Sequence, residues 1–308
     1  MTGSKQGLEL PLRAVPELAA PHTWPAAVLP VLLGTSLACG SGAAMRPWLL
    51  FCVLATAVLL QSAINTLNDY RDFVSGLDSR ANCTDPHDAA LIYTGVSPGA
   101  ALALGLLFLL GAAFFGAMLT WQCGVAMLWY GMLALAAIVL YVIPGLSLAD
   151  RPFGELLSGT AMGGVLTAAA YHAVAGEFSW RLIYLCPPAV ITVGCIMLVN
   201  NTSDIEKDIS GGRRTLPVCL GRKLAEILLR CAVSLAAIGV VLITGFIYPA
   251  GIISLFVGAL GLLTNRGVRG LFSLGVTPER RRENMTAILT AHKWIIGCYT
   301  AAVLLSAL

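Results

Sequence analysis

The residues best able to do chemistry stand at the end of an apolar run, Asn65-Thr66-Leu67-Asn68-Asp69-Tyr70-Arg71-Asp72. In a helix Asn68 and Asp72 are one turn apart on one face, so they offer a two-oxygen edge to a divalent cation. The arrangement returns 136 residues later as Asn201-Thr202-Ser203-Asp204-Ile205-Glu206-Lys207-Asp208. Asn65 aligns with Asn201, Thr66 with Thr202, Asn68 with Asp204, Asp72 with Asp208 and Gly76 with Gly212. Both edges present oxygen without sulfur or imidazole, which suits Mg2+ better than Zn2+ or copper. Mg2+ takes one or two carboxylates, keeps water and completes its shell with phosphate oxygens. Two facing edges would hold a diphosphate through metal ions and stabilise the charge on a departing pyrophosphate. Lys207, Arg213 and Arg214 stand close enough to add charge-assisted contacts to its oxygens. One Asn/Asp pair at a helix end is explained by contact with water; two in register, each followed by glycine, point to a site.

The elements that must carry these edges are oily. Of 308 residues 57% are hydrophobic and 11% charged, with mean hydropathy +0.82, whereas a soluble domain is about one quarter charged. The chain reads as an integral membrane protein of the all-α class. Its basic residues are scattered over short loops and form no basic domain, so nucleic-acid binding has no support. Nine apolar runs approach the ~20 residues a spanning helix needs: roughly 24–43, 47–70, 97–119, 122–145, 154–174, 182–203, 224–247, 249–265 and 287–307. They are continuous rather than alternating, which favours helices over a barrel. The 136-residue offset spans four of them, so spans one to four repeat as five to eight in parallel orientation, as in some transporters. Seven of the nine cysteines lie in or beside apolar runs, without disulfide or metal spacing, and read as small hydrophobes. The chain reads as one domain, 1–308, with 1–21 a cytoplasmic lead-in lacking a cleavable signal pattern.

With the N-terminus inside, Arg46 and Arg181 fall outside and the other seventeen of the nineteen Lys and Arg at or near the inner side. That asymmetry is a positive-inside signal and puts both acidic motifs on the cytoplasmic face of a cell membrane. The three long connections, about 71–96, 204–223 and 266–286, also lie there.

A family resemblance follows from these residues. Asn68-Asp69-Tyr70-Arg71-Asp72 with Gly76-Leu77-Asp78 resembles the first aspartate-rich motif of the UbiA superfamily of intramembrane prenyltransferases. Asp204-Ile205-Glu206-Lys207-Asp208 with Gly212-Arg213-Arg214-Thr215-Leu216-Pro217 and Leu220-Gly221-Arg222 resembles the second. This tail, with His22-Thr23-Trp24-Pro25-Ala26-Ala27, Pro30-Val31-Leu32-Leu33-Gly34 and Phe153-Gly154-Glu155, is most similar to the branch that prenylates 1,4-dihydroxy-2-naphthoate in menaquinone synthesis. The resemblance implies about nine helices around a central cavity and two Mg2+ ions bound with a polyprenyl diphosphate. It assigns Asn68 and Asp72 to one metal edge and Asp204 and Asp208 to the other, with Asp69 and Asp78 as outer contributors. It makes Arg214 a diphosphate contact and Tyr141 a catalytic residue whose ring faces an allylic cation.

The sequence departs from that branch at Ala20, where a basic residue is common, and in the loop from Asp85 to Gly95. Both departures remove positive charge where an acidic aromatic acceptor would be read. Acceptors such as 4-hydroxybenzoate, another phenol, a haem precursor or a lipid precursor therefore stand beside the naphthoate. A secondary transporter with an acidic ion site is the alternative of another class. Glu155 fits a base, a donor-orienting group or a carboxylate at a helix start. His87 is either a cap over the site or a solvated loop residue, and His172 is a packing or interfacial residue. Tyr70 and Arg71 are expected to face away from the metal edge.

Overall fold

Proline opens four of the long helices, at a position where its missing N–H costs no intrahelical bond. In chain order the helices are α1 (Ala14–Ala19), α2 (Pro25–Gly40), α3 (Pro47–Val74), α4 (Ala90–Thr94), α5 (Pro98–Cys123), α6 (Ala126–Val142), α7 (Gly154–Ser158) and α8 (Leu166–Ala175). They continue as α9 (Leu182–Leu185), α10 (Pro187–Ser203), α11 (Ile205–Ser210), α12 (Leu216–Leu220), α13 (Arg222–Ile247), α14 (Ile252–Thr264), α15 (Arg266–Leu274) and α16 (Arg281–Ala307). These come from a computed structural model that describes residues 10–80, 83 and 89–307. Within that range no β-strand occurs. The His87 reading and residues 85–88 of the Asp85–Gly95 loop lie outside the described residues.

Each of the nine apolar runs is helical. Among the described residues four helices are long and apolar enough to cross a membrane: Pro47–Val74, Pro98–Cys123, Arg222–Ile247 and Pro278–Ala307. Two bent pairs, Ala14–Thr23 with Pro25–Gly40 and Pro249–Thr264 with Arg266–Leu274, bring the number to six. The fifth run is not uniform: α7 passes through a π-helical stretch (Gly159–Val165) into α8. There a Cβ on Gly163 would stand 2.5 Å from the Ala189 backbone, so only glycine lets this stretch meet α10 so closely. Large apolar side chains cover the outer surface, Trp121 and Phe246 at 88% and 85% exposure among them. Such a belt suits lipid and would be an aggregation liability in water.

The described part of the lead-in packs onto the fold. Leu18 of α1 is fully buried and packs with Ala90, Leu91 and Leu104. The carbonyls of Leu18 and Ala19 accept hydrogen bonds from Thr66 Oγ1 (3.1 Å) and Asn65 Nδ2 (3.2 Å). A short apolar helix rich in backbone acceptors is thus part of the wall around the first motif. The helices enclose a central cavity of about 540 Å³, lined from α2, α3, α6, α7, α10, α11 and α16.

Candidate active site

The first motif lies wholly on α3, which runs on to Val74. Asn68 Nδ2 donates to Asp72 Oδ2 at 3.2 Å, the one-turn contact its spacing requires. The second motif is interrupted: α10 ends at Ser203, Asp204 leaves helical geometry (φ −102°, ψ 13°) and α11 restarts at Ile205. The Asp208 N–H still donates to the Asp204 carbonyl at 2.8 Å, so the two acids remain one turn apart across the break. Beyond each motif the chain makes the same turn. Ser75 and Gly76 N–H groups donate to Arg71 and Phe73 carbonyls, as Gly211 and Gly212 donate to Lys207 and Ile209. Gly76 and Gly212 have φ of +74° and +73°, left-handed values that glycine adopts without a side-chain clash. The repeat therefore extends to backbone conformation.

Cations bridge the two edges. Arg213 places Nε 2.9 Å from Asp150 Oδ1 and Nη1 3.6 Å from Asp208 Oδ1, and its Nη2 contacts Asp72 Oδ1. Arg281 forks Asp204, with Nε to Oδ1 at 2.8 Å and Nη2 to Oδ2 at 3.1 Å, and Nη2 also donates to Asn200 Oδ1. Thr215 Oγ1 donates to Asp208 Oδ2 at 3.0 Å. Burial pushes the Asp208 carboxyl up to about 6, with Arg213 pulling it down and Asp204 adding to the rise. Burial would lower Arg213 and Lys207, but the acids around them hold both above their ordinary values: Asp72, Asp150 and Asp208 for Arg213, Asp78 and Asp204 for Lys207.

Asn68, Asp69, Asp72, Tyr141, Asp204, Lys207, Asp208 and Arg213 all line the one cavity. Arg214 does not join them: its N–H is tied to the Asp150 carbonyl (2.9 Å) and its side chain is exposed. The turn at Gly212 sends Arg213 inward and its neighbour outward. Asp78 is also corrected. It is buried and paired with Lys207 Nζ at 2.6 Å, a strap between the motifs rather than an outer cavity acid. Arg71 reverses its expectation, being buried against Asp72 at 3.0 Å and Asp150 at 3.3 Å, with further bonds to the Tyr141 carbonyl and Ser147. Tyr70 does face away, packing with the α1–α4–α5 cluster. Glu155 is buried and accepts from Asn201 Nδ2 at 2.8 Å, so it orients the second motif. His172 is buried beside Tyr130, as a packing residue.

Asp150, Arg281 and Asn200 are the residues that sequence reasoning missed. Asp150 carries one available signal, as the acid in the α6–α7 connection. Arg281 stands in the Arg280–Arg282 run, where a topology role hides a specific one.

Among the described residues no three His, Cys, Asp or Glu side chains form a ready metal cage. The oxygens present still fit Mg2+, which needs only one or two carboxylates per ion beside water and phosphate. Arginines now hold the positions of positive charge between those carboxylates. Deeper in, an apolar slot of about 130 Å³ adjoins the polar cavity, the two sharing Gln61, Ile64, Ala137, Ala161 and Met162.

Residues 27–269 match the profile of the UbiA prenyltransferase family. The chain belongs to that family. It is 35% identical over 240 residues to the 1,4-dihydroxy-2-naphthoate octaprenyltransferase of Bacillus subtilis (strain 168), covering 76% of this chain and 75% of that one. It is 26% identical over 237 residues to the 2-carboxy-1,4-naphthoquinone phytyltransferase of Synechocystis sp., with 71% of each covered. In fold it matches a UbiA homologue from Archaeoglobus fulgidus bound to DMAPP and Mg2+, with TM-score 0.64 and 18% identity over 94% of this chain and 98% of that one. The chain is therefore a multi-pass membrane prenyltransferase, and the transporter alternative is set aside.

Proposed function

We propose that this enzyme transfers a polyprenyl group from a polyprenyl diphosphate to 1,4-dihydroxy-2-naphthoate, in menaquinone biosynthesis. The observation that carries this reading is the pair of in-register acidic edges on one cavity that leads into an apolar slot. Its donor end suits a diphosphate and its slot suits an isoprenoid. The naphthoate is supported by the likeness to the two naphthoate- and naphthoquinone-prenylating relatives.

Asn68, Asp69 and Asp72 on one side and Asp204 and Asp208 on the other would hold Mg2+ bound with the diphosphate. Mg2+, when bound, would neutralise the diphosphate and stabilise the charge on pyrophosphate as it leaves. Arg213 and Lys207 add charge-assisted hydrogen bonds to the diphosphate oxygens. The C–O bond at the prenyl terminus breaks, and its electron pair leaves with pyrophosphate. Tyr141, whose hydroxyl is anchored on Met197 Sδ (3.5 Å), faces the allylic cation with its ring. The acceptor ring carbon supplies the electron pair of the new C–C bond, and loss of the carboxyl group as CO2 restores aromaticity. The apolar slot shields the cation from water. The single domain lies in a cell membrane among lipids, its polar mouth toward the cytoplasm, as the positive-inside asymmetry supports.

The test is purified protein with labelled prenyl diphosphate and Mg2+, offered 1,4-dihydroxy-2-naphthoate or 4-hydroxybenzoate. Prenylated naphthoquinol with stoichiometric pyrophosphate is expected. Transfer to 4-hydroxybenzoate alone would move the enzyme to another acceptor class.

A further inference from the structure

α10 and α16 run antiparallel and are tied twice. Arg281 holds Asp204 at the mouth, and His292 Nδ1 meets Thr192 Oγ1 at 2.9 Å further in. Lys293 follows His292, twelve residues beyond the first residue of α16, about 18 Å along its axis at ~1.5 Å per residue. The charge pattern of the sequence groups Lys293 with the inner-face cations; along α16 it stands more than three turns beyond Arg281. Its side chain is exposed rather than packed in the core. Lys293 has no hydrogen-bond or ion-pair partner among the described residues, and it lines the central cavity.

The other cations on that cavity are differently placed. Arg71, Lys207, Arg213 and Arg281 are each committed to acids of the motifs or beside them. Arg282 is uncommitted and exposed, as Lys293 is, but it stands in the first turn of α16, at the mouth. Among the described Lys and Arg residues that line the cavity, Lys293 alone brings uncommitted positive charge beyond the mouth. On a helix side chains lean toward the N-terminus, so its four-carbon stem tilts back toward the level of the motifs. Gln61, Thr23 and Asn65 form a hydrogen-bonded polar patch on the same cavity, suited to hydroxyl groups.

We propose that Lys293 is the anionic-acceptor anchor: its ammonium binds the carboxylate of an aromatic acid and thereby selects the acceptor. The inference rests on the naphthoate reading above. It also answers the departure at Ala20, because the missing positive charge is supplied from the last helix.

The experiment measures binding of 1-hydroxy-2-naphthoate and of 1-naphthol, which lacks the carboxylate, to the full-length protein in detergent. Geranyl diphosphate with Mg2+ is titrated separately. A charge-assisted hydrogen bond is worth about 10- to 100-fold in affinity. Lys293→Met should weaken naphthoate binding by about that factor and leave naphthol and geranyl diphosphate unchanged. Lys293→Arg should retain most of the preference, and Arg282→Gln should leave it intact. A thermal melt checks that each variant is folded, with Lys293→Gln as a second neutral variant. Unchanged naphthoate binding in both neutral variants, or a loss confined to geranyl diphosphate, would overturn the assignment. Wild-type protein that binds geranyl diphosphate but shows no preference for naphthoate over naphthol would remove the naphthoate reading itself, and the anchor with it.

Discussion

Arg213 plays two roles that one substitution separates. In the metal-free protein it is the cation between Asp72, Asp150 and Asp208. Arg213→Gln leaves Asp208 without its arginine and Asp72 and Asp150 with Arg71 alone. Breaking a buried pair costs about 3–5 kcal/mol, and the low end applies because the Asp150 side chain is 31% exposed. A loss of about 3 kcal/mol corresponds to a fall of about 5 °C in Tm for a chain of this size. Mg2+ should reverse the sign. Without this competitor, Mg2+ meets three carboxylates that share Arg71 alone and should bind about tenfold more tightly, the lower value of a charge-assisted contact. Turnover should nevertheless fall, since the proposed diphosphate contact is gone. The assays are fluorescence-detected melting in EDTA and in Mg2+, calorimetric Mg2+ titration, and prenyl transfer. A variant that melts like wild type in EDTA, or binds Mg2+ more weakly, would refute the reasoning.

Asp208, held up to about 6 chiefly by burial, makes Mg2+ binding pH-dependent. A proton must leave before the cation binds, so affinity should be flat above pH 7 and fall about tenfold per unit below about 6. Titration at pH 5, 6, 7 and 8 checks this, and a flat profile would contradict it. Gly163→Ala puts a Cβ 2.5 Å from the Ala189 backbone, so α10 must shift at a cost of about 1–3 kcal/mol. Gly164→Ala meets only Val190 Cγ2 at 3.5 Å and should melt like wild type, which makes the pair a test of the close approach. Asp78→Asn strands the buried Lys207 ammonium, and about 3 kcal/mol of stability should go with it. The double variant Asp78→Asn, Lys207→Met should recover part of that loss in melting.

The paired acidic edges were legible because helical spacing and an internal repeat mark them twice. Asn68 with Asp72 and Asp204 with Asp208 show in sequence what the fold then places on one cavity, and even the shared glycine turn can be aligned. Their counter-charges were not legible. Arg71 adjoins Asp72, and a simple face argument turns it away; its long side chain wraps back instead to Asp150 and the Tyr141 carbonyl. Asp150 and Arg281 come from connections far away in sequence, where no periodicity forecasts a partner. Arg214 and Arg213 are adjacent and chemically alike, so only the conformation at Gly212 decides which points inward. The helices themselves were readable from hydropathy. The break at Asp204 and the π-helical stretch were not, because both arise from tertiary packing around the cavity.

The most direct measurement is quinone analysis of a host that lacks its own naphthoate prenyltransferase and is supplied with this chain. The wild-type chain should restore menaquinone, whereas Asp72→Asn and Asp208→Asn, present in the membrane at equal amounts, should restore none. Menaquinone restored by both variants would contradict the paired acidic edges as the diphosphate site. No menaquinone from a folded wild-type chain would contradict the acceptor.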